Sequence, residues 1–328
     1  SGRGTKSVLM TKVLSCSVFA CPDACDWVSP IVVAAKKDGD VRVCVDLRHL
    51  NQQIVTHKYP LPSLEELFVG LAGATHFTTL DLSSAYLHVP LAEQSRQYTS
   101  FITHEGVFRM KRMPFGLASE PSFFQEMMSR ILRGVDRTKV ILDDVLCFGS
   151  SKEECDATYK VIKQKLEGHN LSLNALKCQV NQEKVKYVGR ILSGTGIEPD
   201  PHSLLALRDM PVPKTRHELR SFVGFCSWNR NSVPDFATVV KPLTDLLSPK
   251  VEYVWSEECQ EAFVEIKERI LRATSLNLYD PSRKTIIEWD ASDVGVGAVL
   301  LQVVEGKEVP VSYISRVLTP AERGYAIG

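Results

Sequence analysis

Most of the 39 acidic residues fall where helix faces would show them to water, but three aspartates do not. Asp143 and Asp144 stand side by side between two short apolar runs within Lys139–Phe148, and Asp81 closes the strand-like run that begins at His76. Adjacent carboxylates repel each other and lose hydration in an apolar setting, which a bound cation relieves. Three acids converging at strand ends suit two Mg²⁺ ions about 3.5–4 Å apart, with Mn²⁺ able to substitute, as in phosphoryl-transfer sites. Ions held in this way activate a 3′-hydroxyl and neutralise a triphosphate together with its leaving group. On spacing alone, the same residues also fit two turn aspartates and a strand-end cap.

The elements that must position these acids follow from periodicity and turn chemistry. Residues 31–35 read as a buried strand and 41–46 as an alternating one, joined through Lys37-Asp38-Gly39-Asp40. Tyr59–Pro62 is a rigid extended stretch before a helix over Leu64–Leu71, and His76–Leu82 is a strand. A hairpin follows, with strands Thr99–Thr103 and Val107–Lys111, then a helix over 117–133 carrying Phe124, Met127, Met128, Ile131 and Leu132 at helical spacing. Ser151 and Glu154 form a capping box for a helix over 151–168, striped with Cys155, Tyr159, Ile162 and Leu166. Leu171–Val180 and Val185–Leu192 read as strands, and the prolines at 199, 201, 211 and 213 mark a domain boundary. A second capping box, Thr215 with Glu218, precedes a helix, and another helix spans Ser256–Leu271. Strands over Thr285–Asp290, Val296–Val304 and Val309–Tyr313 close the chain.

Composition narrows the classes without choosing one. A chain of 328 residues predicts two or three domains, and 44% hydrophobic with 24% charged residues excludes a disordered polymer. No apolar run approaches the roughly 20 residues that a membrane helix needs. Nine scattered cysteines without a Cys-x-x-Cys pair predict free thiols and a reducing, cytoplasmic setting. Residues 8–20 imitate a signal-peptide core, but Lys12 interrupts it. The 39 cations against 39 acids are an average over unlike segments. Residues 202–241 hold six cations (Arg208, Lys214, Arg216, Arg220, Arg230, Lys241) against three acids, while 252–268 hold six glutamates against Lys267. Neutrality therefore does not exclude a phosphate-rich partner; it predicts a small, localised footprint.

Five motifs in order then carry a family likeness. KKDG with CVDLR and LN (Lys36–Asn51), YPLP (Tyr59–Pro62), LDLSSAY (Leu80–Tyr86), MPFGL (Met113–Leu117) and ILDDVL (Ile141–Leu146) resemble reverse transcriptases, in particular the polymerase of gypsy-type long-terminal-repeat retrotransposons. The likeness continues through Ile197–Pro201, Leu219–Phe225, Lys241–Leu247, Trp255–Phe263, Asp290–Gln302 and Tyr313–Tyr325. It implies an α+β chain: a right-hand polymerase with fingers, palm and thumb/connection, followed by a truncated ribonuclease H-like α/β domain. The implied divisions are a non-matching extension over 1–29, fingers and palm over 30–192, thumb and connection over 193–273, and the incomplete last domain over 274–328. The palm should be a small antiparallel sheet with Asp81 and Asp143 on adjacent strands, backed by the 117–133 and 151–168 helices.

The implied activity is RNA-directed DNA polymerisation, in which a primer 3′-hydroxyl on an RNA or DNA template attacks a dNTP, in cytoplasm, retroelement particles or nucleus. Asp81 and Asp143 would be the metal-binding catalytic acids, with Asp144 auxiliary. Lys36 or Lys37 and Arg42 would grip the triphosphate, Tyr86 would stand beside the sugar and reject a 2′-hydroxyl, and Phe115 would line the nucleotide pocket. Without the likeness, these residues read as a solvated hairpin, a core aromatic and a helix-preceding turn. Ile141 stands where the family has an aromatic under the primer end, Glu120 where it mostly has alanine, and Ser227-Trp228-Asn229-Arg230 where it has two tyrosines and two arginines. Asp290 matches the first ribonuclease H carboxylate; because the chain stops at Gly328, before a second acid, no nuclease activity and a poorly covered sheet are expected. Two other readings fit less of the chain: a decayed or repurposed copy that binds nucleic acid without catalysis, and an RNA-copying polymerase, a class that favours glycine before the aspartate pair.

Overall fold

A computed structural model describes residues 19–20, 26–35, 41–104, 106–273 and 275–324. The chain divides into two compact units, the first from residues 1–63, 78–147 and 156–180, the second from 64–77, 148–155 and 181–328. The predicted strands at 31–35 and 41–45 pair antiparallel, Ile31 opposite Val45; the turn between them lies outside the described residues. Ser100–Thr103 and Gly106–Met110 form the second predicted hairpin, extended by Phe19–Ala20.

The sheet that carries the aspartates has four strands in the order Thr138–Ile141, Asp144–Gly149, His76–Asp81, Gln179–Gln182. Its second strand explains the apolar run in the sequence: Val145, Leu146, Cys147 and Phe148 are all buried, leaving only Asp144 at its start exposed. Such a strand is covered on both faces. The helix Glu120–Ile131 lies against Thr138–Ile141 and buries Phe124 and Met128. The helix Lys152–Gly168 buries Cys155, Ile162 and Leu166, and its Ser151 hydroxyl accepts from the Glu154 amide at 3.3 Å.

Three expected elements differ. Leu171–Val180 is not one strand: Gln179–Gln182 forms a strand, Leu173 makes a single antiparallel bridge to Leu82, and between them runs a loop whose Asn174 amide donates to the Asp81 carbonyl at 2.9 Å. Alternation of Leu171, Leu173 and Ala175 with Ser172 and Asn174 imitates a strand, but local pairing loses to a tertiary clasp. Val185–Leu192 is two strands of a meander, Lys184–Tyr187 and Arg190–Ser193, followed by Gly196–Pro199. Val188 and Gly189 both have positive φ, 41° and 72°, the tight-turn conformation glycine favours. The proline cluster holds a helix, Pro201–Arg208, capped by Asp200 with Pro201 in its first turn, where a missing N–H costs nothing.

In the second unit, the helices Arg216–Trp228, Phe236–Leu246 and Glu257–Leu271 close a core around Leu219, Phe222, Leu243, Phe263 and Ile266, with the Phe222 and Phe263 rings 4.7 Å apart. Thr215 and Ser256 cap two of them, accepting from Glu218 and Cys259 amides at 3.2 Å. A sequential antiparallel sheet of Thr285–Ala291, Gly295–Val304 and Lys307–Val317 completes the unit. A Cβ on Gly295 would stand 2.8 Å from the Thr238 hydroxyl, and one on Gly297 would stand 2.8 Å from Asp235, so these glycines seat a helix start directly on the sheet. Ile287, Trp289 and Ile314 are exposed on this sheet.

Candidate active site

Asp81 ends the buried strand His76–Asp81, and its side chain is 24% exposed. The loop over 172–178 holds it from the main chain: Ser83 donates to the Ser172 carbonyl at 2.8 Å, and the Cys178 thiol lies 3.9 Å from the Asp81 carbonyl. The same loop carries Lys177, whose ammonium is 3.2 Å from Asp81 Oδ2.

Asp143 and Asp144 belong to a two-residue hairpin in which Ile141 opposes Asp144. The turn residues are therefore Leu142 and Asp143, and Asp144 opens the second strand instead of completing the turn. Leu142 adopts φ 53°, left-handed backbone that a branched side chain occupies only under constraint. The constraint is Gln125, buried on the helix Glu120–Ile131: its Oε1 accepts the Leu142 amide at 2.7 Å, and its Nε2 donates to the Val140 carbonyl at 3.2 Å. One glutamine thus fixes both sides of the aspartate turn.

Lost hydration, then Asp143 and Asp81, push the Asp144 carboxyl above the ordinary carboxylate range, and Lys177 opposes them. The three acids are therefore close enough to feel each other, and their hard oxygen donors suit Mg²⁺ or Mn²⁺. Among the described residues, no three His, Cys, Asp or Glu side chains are already gathered in ion-holding geometry.

Beside the acids, Ser84 with φ 50° turns the chain into a short 3₁₀ segment, Ala85–His88, which presents Tyr86. The Tyr86 ring meets Phe115 edge-on at 5.4 Å and Phe124 at 5.0 Å. Burial, then the charges of Asp143, Glu120 and Asp144, raise its hydroxyl to about 12, so it is a neutral phenol. Phe115 sits in the loop after Met113, and two side chains pin that loop. Asn51 donates to the Gly116 carbonyl at 2.8 Å and accepts from the Ala118 amide at 2.9 Å. Glu120 accepts from the Gly116 amide at 2.6 Å.

The structure thus brings Asp81, Asp143, Asp144, Tyr86 and Phe115 into the first unit. Lys36 and Lys37 lie outside the described residues, and Arg42 is placed only as a strand position opposite Ala34. Asp290 belongs to the second unit, where it accepts from the Ala291 amide at 2.9 Å and lines a cavity of about 510 Å³ with Asp235, Glu258, Glu261, Glu265 and Arg269. The unusual Trp228-Asn229 pair serves Arg190: its guanidinium lies 6.0 Å from the Trp228 ring and donates to Asn229 at 2.8 Å, and burial lowers it to about 10. Sequence reasoning missed Gln125, Lys177 and Asn51. Asn51 lies inside a quoted motif, whereas Gln125 and Lys177 carry no local signal of their tertiary partners.

Comparison with known proteins gives the family of the chain. Residues 34–192 match the family described as reverse transcriptase (RNA-dependent DNA polymerase), and 255–328 match the RNase H-like domain found in reverse transcriptase. The retrovirus-related Pol polyprotein from transposon 412 of Drosophila melanogaster is 32% identical over 309 residues, covering 92% of this chain and 25% of that polyprotein. The transposon Tf2-3 polyprotein of Schizosaccharomyces pombe is 34% identical over 301 residues, covering 91% of this chain and 23% of that one. The chain therefore spans about a quarter of the curated relatives it matches. Among solved structures, a foamy viral protease-reverse transcriptase in complex with double-stranded DNA aligns with a TM-score of 0.89 at 21% identity, over 99% of this chain and 57% of that one. A foamy viral protease-reverse transcriptase in complex with an RNA/DNA hybrid aligns at 0.84 and 21%, over 99% of this chain and 44% of that one. Divalent metal dependence is general in this family. With two family matches in sequence order, retrotransposon polyproteins as relatives and the fold of a reverse transcriptase with an RNase H-like domain, the chain belongs to the reverse transcriptases of retrotransposon polyproteins.

Proposed function

We propose that this chain is the polymerising segment of its polyprotein and adds deoxynucleotides to a primer 3′-hydroxyl on an RNA or DNA template. The observation that carries this is the placement of Asp81 at the end of one sheet strand and of Asp143 and Asp144 in the hairpin that opens the neighbouring strand, together with the Tyr86–Phe115 ring pair. The three carboxylates would hold two Mg²⁺ ions, with Mn²⁺ substituting. When bound, such ions neutralise phosphate charge and lower the pKa of a coordinated hydroxyl. Gln125 holds the turn that aims Asp143, and Lys177 offers a cation beside Asp81. Tyr86, neutral and braced by Phe115 and Phe124, is a rigid wall on which a 2′-hydroxyl would clash, so deoxynucleotides are preferred. The divisions at 192 and 273 and a cytoplasmic or particle-bound setting belong to the same proposal.

Primer extension by the purified chain with Mg²⁺ tests it. Wild type should extend a DNA primer on RNA, and Asp143→Asn should lower the rate about 100-fold or more while duplex binding persists. Equal extension by both would end the catalytic assignment. Duplex binding without extension by wild type would favour the non-catalytic alternative instead.

A further inference from the structure

Glu120 opens the helix whose Phe124 packs on Tyr86, and the fold gives it a specific place. It is 6% exposed, unusual for a glutamate that has no ion-pair partner among the described residues. Its side chain turns back over its own N-terminus. Oε2 accepts the Gly116 amide at 2.6 Å, and the carboxylate also takes the Leu117 amide. Those amides belong to the loop carrying Phe115, whose ring stands edge-on to Tyr86 at 5.4 Å. Asn51 holds the other side of the loop, through the Gly116 carbonyl and the Ala118 amide. Gly116 has φ 96°, so at this point the loop follows a path that few residues would keep unaided.

Alanine at this position leaves the two amides to water or to each other's neighbours, and only Asn51 then restrains the loop. A carboxylate supplies both acceptors with the strength of a charge-assisted bond. We propose that Glu120 is a positioning residue for sugar selection: by fixing the Gly116 and Leu117 amides, it seats Phe115 against Tyr86 and keeps the wall beside the nucleotide rigid. This rests on the polymerase reading given above and adds to it a residue that positions the pocket wall.

The test uses the full chain with two substitutions and two readouts. Glu120→Ala removes both acceptors; Glu120→Gln keeps one carbonyl oxygen and a similar volume. In hydrogen exchange followed by mass spectrometry, the peptide over 113–119 should exchange about tenfold faster in Glu120→Ala than in wild type, with Glu120→Gln between them. In primer extension, Glu120→Ala should raise the KM for dNTP about five- to tenfold, more than it lowers kcat, and should reduce dNTP over rNTP preference by a similar factor. Glu120→Gln should recover part of both. Unchanged exchange over 113–119 overturns the clamp whether or not the chain polymerises. Faster exchange with an unchanged dNTP/rNTP ratio overturns its role in selection. A wild type that extends no primer defeats the polymerase reading and with it the selection role, while the exchange measurement still reports on the clamp itself.

Discussion

Asp144 shows what neighbouring carboxylates and lost hydration do to one acid. Its carboxyl is raised by lost hydration and by Asp143 and Asp81, so the metal-free fold holds a proton there more tightly than the unfolded chain does. A raised acid contributes most to stability at low pH, where both states are protonated. Stability falls as pH climbs from the ordinary value of 3.8 toward the raised one, because the unfolded chain ionises first. The chain in EDTA should therefore lose stability across this acid window, and Asp144→Asn should flatten the loss. Because the residue keeps an exposed edge, screening limits the gain to about 0.5–1 kcal/mol near neutral pH. Thermal unfolding in EDTA measures this directly. Adding Mg²⁺ should raise the wild-type midpoint more than that of Asp144→Asn, which keeps Asp81 and Asp143. A wild type more stable than Asp144→Asn in EDTA at neutral pH would contradict the charge crowding inferred here.

Among the elements, the aspartate hairpin depends on the helix Glu120–Ile131, through a residue that lies outside the hairpin itself. Gln125 satisfies the Leu142 amide and the Val140 carbonyl, and Leu142 at φ 53° keeps its conformation only while that bond holds. Gln125→Leu should cost about 1–3 kcal/mol through the two orphaned backbone groups. It should also lower extension about tenfold or more by loosening Asp143. Leu142→Gly should ease the strain by about 1 kcal/mol and, placed in Gln125→Leu, restore part of the lost stability. Denaturant unfolding of the four proteins in this cycle decides it; strictly additive effects would mean that the glutamine and the turn are uncoupled.

What could be read in the sequence divides along the same line. Asp143-Asp144 stands out because an apolar strand buried on both faces leaves charge nowhere to go but its end, and two capped helices stand out because Ser151 and Thr215 sit one turn before their partners. Gln125 looked like any helix residue, since its partners lie 15 and 17 positions away. Lys177 was assigned to a strand that is in fact the loop clasping Asp81, a contact spanning 96 positions. Local signals fix elements and their caps, while the braces of the site are tertiary and carry no period.

For the whole molecule, charge balance sets how a duplex would be held. The sequence count for 202–241 is six cations, but the fold has already committed most of them within the second unit. Arg208 pairs with Asp209 at 2.9 Å, and Lys241 pairs with Asp245 one turn on. Arg216 reaches the Leu246 and Val251 carbonyls, and Arg230 the Ser315 carbonyl at 3.3 Å. Lys214 and Arg220 remain exposed, six residues apart, flanking the start of the helix Arg216–Trp228. Each phosphate neutralised by a cation contributes about 0.9 to the log–log salt slope of duplex binding. Replacing Lys214 and Arg220 together by alanine should therefore flatten that slope by about 2, whereas Lys241→Ala, whose cation already has a carboxylate, should change it by less than about 0.5. Fluorescence anisotropy with a labelled RNA/DNA hybrid between about 50 and 200 mM salt resolves the difference. Equal slopes for wild type and the double variant would move the phosphate footprint away from this helix start. An effect of Lys241→Ala as large as the pair's would show that its ion pair opens on binding.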